Sequence, residues 1–107
     1  MTRYTEIFIK QISAVELAVE KWCSDLITTT EYQIEVERIC REAKFLRDRM
    51  NLLEVPEELK EFHMYWIQSV DYGILAFEKS KILDSEGAGK YSGMAAESMT
   101  YANILLV

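Results

Sequence analysis

The sequence predicts an all-α protein, an up-down-up-down antiparallel four-helix bundle. Three features carry that expectation: apolar residues recur at alternating spacings of four and three, glycine and proline are scarce, and segments of similar length are separated by short breaks. A strand would alternate by two. A β-sandwich would need turn residues every 8–12 positions or so, and four Gly and one Pro in 107 residues supply too few. The whole chain, 1–107, reads as one helical-bundle domain.

The first helix is expected over about 4–27, on the stripe Phe8, Ile12, Val15, Val19, Trp22 and Leu26. Thr28-Thr29-Thr30 then breaks it, because consecutive β-branched residues are poor helix interior. Thr30 and Gln33 have capping-box spacing, so a second helix should open there and run over about 31–53. One unbroken helix across both segments is the alternative. The second stripe is Tyr32, Val36, Ile39, Ala43, Leu46, Met50 and Leu53. Its reverse face carries the i, i+4 pairs Glu37–Arg41, Arg38–Glu42 and Lys44–Asp48, which mark the wet side.

Pro56 suits a helix start, and Glu57, Glu58 and Glu61 complement the helix dipole. The third helix, about 57–83, carries Leu59, Phe62, Trp66, Val70, Gly73 and Phe77 on its main stripe. Met64, Tyr65, Tyr72, Leu75 and Ile82 make its other side apolar as well. Asp84–Gly89 reads as a loop with Gly87 as a C-terminal cap. The fourth helix, about 90–106, follows on Tyr91, Ala95, Ser98, Ala102 and Leu105, crowded by small residues. Both Cys23 and Cys40 fall on or beside the apolar stripes and read as buried, inert thiols.

The net charge of −6 argues against a nucleic-acid partner and against an anionic membrane surface. Two separated cysteines fit a reducing cytoplasm better than a disulfide scaffold. No signal peptide and no membrane-spanning run of about 18 apolar residues is expected.

Catalytic motifs are missing. Glu86-Gly87-Ala88-Gly89-Lys90 is reminiscent of a phosphate-binding loop, but Asp84 stands at the first Gly position and Tyr91 where Ser or Thr is needed. His63 is the only histidine, and Leu59, Lys60, Trp66 and Ile67 occupy the positions where a second helical metal ligand would stand. The carboxylates of Glu54, Glu57, Glu58 and Glu61 are dipole complements rather than a cation site. The expectation is therefore no enzyme, no cofactor and no catalytic or metal residue.

What the sequence offers instead is surplus apolar surface, which points to a protein-interaction bundle that forms a homodimer or docks a partner helix. The interface is expected at Met64, Tyr65, Tyr72, Leu75 and Ile82 of the third helix and Ala95, Ser98 and Ala102 of the fourth. The alternative is a small-ligand sensor or regulator with an apolar pocket between helices near His63 and Trp66.

Overall fold

The computed structural model describes residues 2–105. They form four α-helices: α1 (Thr2–Cys23), α2 (Thr29–Asn51), α3 (Lys60–Lys81) and α4 (Ser85–Ile104), with a 3-10 turn over Glu57–Leu59 leading into α3. No strand occurs among the described residues. The molecule is elongated, 48 × 23 × 18 Å.

The first break closes differently from the sequence expectation. Asp25 takes a left-handed conformation, φ 58°. The Leu26 amide then reaches back to the Lys21 carbonyl (2.8 Å) and the Asp25 amide to that of Trp22 (3.1 Å), a Schellman ending that stops α1 at Cys23. Thr28, not Thr30, caps α2. Its Oγ1 accepts from the Glu31 amide (3.1 Å), and the Glu31 carboxylate accepts from the Thr28 amide (3.0 Å). Glu accepts the N-cap amide as an anion at the positive end of the helix, which Gln33 could not do.

The fourth helix also starts earlier, at Ser85 instead of about 90. Leu83 takes the left-handed conformation (φ 64°), and the amides of Leu83 and Asp84 close a second Schellman ending onto Ser80 and Lys79. Asp84 is at once the last residue of that motif and the N-cap of α4, its Oδ1 accepting from the Gly87 amide at 2.9 Å. Gly87 is therefore a first-turn residue and not a C-terminal cap. A Cβ there would lie 2.5 Å from the Asp84 carboxylate.

The main core cluster joins Phe8 and Val15 of α1, Ile39, Cys40, Ala43, Leu46 and Met50 of α2, and Trp66, Val70, Ile74 and Phe77 of α3. A smaller one gathers Ala18, Tyr32 and Val36, with Trp22 and Ile27 packed on it. Trp66 is almost fully enclosed, 1% exposed. Trp22 is only half-buried, stacked on Tyr32 at 4.7 Å, because α1 ends one residue later.

α3 is the central helix. α2 joins it along a polar seam in which Lys81 meets Glu37 (2.6 Å), Lys44 meets Glu78 (2.8 Å) and Arg47 meets Asp71 (2.8 Å). α4 packs on it through Ser69 Oγ, which donates to the Ala95 carbonyl (2.7 Å), and through the ring pairs Tyr65–Tyr101 and Tyr72–Tyr91. α1 reaches it where the Trp66 indole N–H donates to Thr5 Oγ1 (2.8 Å) and where Phe8 seats over Gly73. The α1 and α4 backbones stay apart: no Cα of one lies within 8 Å of a Cα of the other among the described residues.

Candidate functional site: an apolar cleft between α1 and α4

Because α1 and α4 rest on the same helix with their backbones apart, an apolar cleft of roughly 370 Å³ opens between them. Trp66, Val70, Gly73 and Phe77 of α3 form its floor. Ile9 and Ile12 line it from α1, and Ala95, Ala96 and Met99 from α4. Its polar groups are few, and two are already engaged: Ser69 Oγ donates to Ala95, and Thr5 Oγ1 accepts from Trp66.

The two residues expected to share a pocket are separated. Trp66 lines the cleft, whereas His63 does not. His63 is half-buried, with its ring 5.6 Å from that of Trp66 and turned toward the end of α2. Burial holds its pKa below the usual histidine range, and the Met50 carbonyl pulls the other way. Its Nδ1 is buried without a hydrogen-bond partner among the described residues.

The eight residues expected at an interface divide in the same way. Ala95, Ser98 and Ala102 are buried against α3 within the chain itself. Tyr65 and Tyr72 are half-buried, their rings 5.7 and 6.4 Å from Tyr101 and Tyr91 of α4. Leu75 is half-buried, and only Met64 and Ile82 stand exposed. Much of the second apolar side of α3 is thus the seat of α4. Sequence reasoning missed the α1 side of the cleft, Ile9 and Ile12, and the Ala96–Met99 side of α4. The available signal was Ile9, an apolar residue next to the main α1 stripe with no assigned neighbour.

Cys40 is buried, and burial pushes its thiol pKa up, away from reactivity. Cys23 is exposed, contrary to expectation, because α1 ends there and the stripe no longer faces a neighbour. No cluster of three or more metal-ligating side chains occurs among the described residues, and no described helix is long and apolar enough to cross a membrane. Comparison with protein-family models, with curated proteins and with solved structures gave no match. The cleft can remove an apolar body from water.

Proposed function

We propose that this chain is a non-enzymatic interaction module of the cytoplasm: an up-down-up-down antiparallel bundle that self-associates as a homodimer. The observation that carries this reading is the open cleft between α1 and α4. Removing apolar surface from water contributes about 25 cal/mol per Å². In a closed bundle, α4 would cover that floor by meeting α1. Here a helix from a second copy is the occupant. The lips favour it: Ile9 is 55% exposed, and the small Ala95 and Ala96 permit close approach of a helix axis. The exposed Met64 and Ile82 extend the apolar surface beyond the cleft. Free thiols suit a reducing compartment.

The test is light scattering across a hundredfold dilution. The expected result is a dimer that dissociates on dilution, burying at least about 1,000 Å² in total. A constant monomer mass at every concentration ends this reading. The variants I9E and A96E place charge on the lips and should split the dimer with helicity unchanged. A dimer that survives both is held elsewhere.

A second reading rests on volume. The cleft falls in the ~300–1,000 Å³ range of small-molecule sites. A small apolar ligand at Trp66 would make the chain a sensor or regulator. It would reveal itself as a monomer whose Trp66 emission shifts when the apolar dye 8-anilinonaphthalene-1-sulfonate is added.

A further inference from the structure

A second groove lies on the opposite side of α1, where α1 faces α2. It is larger, roughly 680 Å³, and of different chemistry. Three of the chain's five arginines line it: Arg3 from α1, Arg41 and Arg49 from α2. The other two are engaged elsewhere, Arg38 with Glu35 and with Glu42 (2.7 Å), Arg47 with Asp71 (2.8 Å). No groove arginine has so close a carboxylate among the described residues. Arg41 stands 3.9 Å from Glu37, and neither Arg3 nor Arg49 forms an ion pair with a described residue. Glu42, the one carboxylate in the lining, is held by Arg38.

Two further features meet in the same groove. Phe45 presents its ring there, 63% exposed, with the Arg49 guanidinium 5.5 Å above it. Gln11 lines the groove while only 8% exposed, and its buried Oε1 accepts no hydrogen bond among the described residues. A buried amide oxygen without a donor costs stability. Three arginines gathered without a close carboxylate and an exposed phenylalanine are likewise incompletely matched within the chain. Local rules broken together at one place are the mark of a site that something else completes.

We propose that the α1–α2 groove binds a small amphipathic organic anion. Its carboxylate or phosphate meets Arg3, Arg41 and Arg49, and its apolar body lies on Phe45 and Ile7. Guanidinium groups suit both oxyanions because their N–H pairs match two oxygens at once. A metal cation is excluded by the same charges. A nucleic-acid backbone is disfavoured by the net −6 of the chain around this local patch.

The test uses three probes: indole-3-acetate as carboxylate, 4-aminophenyl phosphate as phosphate, and the neutral alcohol tryptophol. Each is titrated into the full chain by calorimetry, with ¹⁵N spectra read at the arginine Nε and glutamine side-chain signals. At least one anion should bind tighter than about 1 mM, and tryptophol at least about tenfold more weakly. Whichever anion binds names the oxyanion. The double variant R41A/R49A should lose about tenfold in affinity while keeping its circular dichroism. Q11L should melt higher, because it removes the unsatisfied oxygen, while keeping the anion affinity that depends on the arginines. The assignment is overturned by no binding of either anion at ~1 mM, by tryptophol binding as tightly as the anions, or by undiminished affinity in R41A/R49A. Binding of an acidic peptide alone would give the groove to a macromolecule and overturn the small-ligand assignment too.

Discussion

Gly73 sits mid-way along α3, where a helix ordinarily favours alanine by about 1 kcal/mol. A Cβ placed on it would lie 2.3 Å from Phe8 Cζ and within 3.3 Å of both adjacent ring carbons. Phe8 is buried, and its other neighbour is the Phe77 ring, 6.0 Å away. The ring must shift, and overpacking of a filled core costs about 1–3 kcal/mol. Gly93 provides the internal control: it too is helical, and its added Cβ meets nothing within 4 Å. Gly93→Ala should therefore raise stability by about 0.5–1 kcal/mol, and Gly73→Ala should fall below it by about 1–3 kcal/mol. At about 4–8 °C per kcal/mol for a domain near this size, the two melting curves separate clearly. The double variant F8L/G73A should recover part of the loss, giving a coupling term between the sites. Gly73→Ala melting as high as Gly93→Ala would refute the claim that this glycine exists for Phe8.

Three further outcomes follow from the same structure. Leu83 holds φ 64° with 42% of its surface exposed, so Leu83→Gly should relieve left-handed strain and stabilise by about 0.5–1 kcal/mol, read as a higher urea midpoint; an unchanged or lower midpoint counts against it. Burial holds His63 below its usual 6.5, so the unfolded chain takes up a proton that the folded chain resists. Stability from this source is complete above pH 6.5 and declines as pH falls through 6.5 toward the lower folded value. The non-titrating variant His63→Gln should lack that decline, and parallel pH profiles for the two proteins would contradict it. Trp66→Ala should cost about 3–5 kcal/mol and Trp22→Ala clearly less, since only the first is fully enclosed; equal losses by chemical denaturation would contradict the burial difference.

The helices were legible because periodicity is a direct consequence of burial. Six of the seven residues of the α2 stripe, from Tyr32 to Met50, are buried as the spacing requires. Helix ends were less legible, since they depend on side-chain chemistry at single positions. Asp84 terminates one helix and starts the next within one residue, and glycines drew attention away from it. Leu26 was placed on the α1 stripe but is 73% exposed, because Asp25 turns the chain before it. The α3 face read as an interface is largely covered by α4, because a helix apolar most of the way round is one surrounded by its own chain. Of the cleft only its Trp66 floor was foreseen, and the arginine groove was not legible at all. Each is made by residues far apart in the chain, and Arg3 and Arg49 come to line one groove only once α1 and α2 pack.

The attachment of α4 to α3 alone has a consequence for how the molecule comes apart. α1, α2 and α3 share one core, so none of them can leave without opening it. α4 seats the small side chains Ala95, Ser98 and Ala102 on α3 and packs Met99 against the edge of that core. An outer helix held by a single neighbour can detach as a unit, and sub-global opening proceeds through such units. Its departure would uncover the outer flank of the central helix without dissolving the three-helix remainder. Amide exchange should then divide the chain into two tiers, fast along Ser85–Ile104 and slow along Thr29–Asn51 and Lys60–Lys81. Whatever settles into the cleft presses on both α1 and α4, and in doing so fastens the outermost helix to the rest.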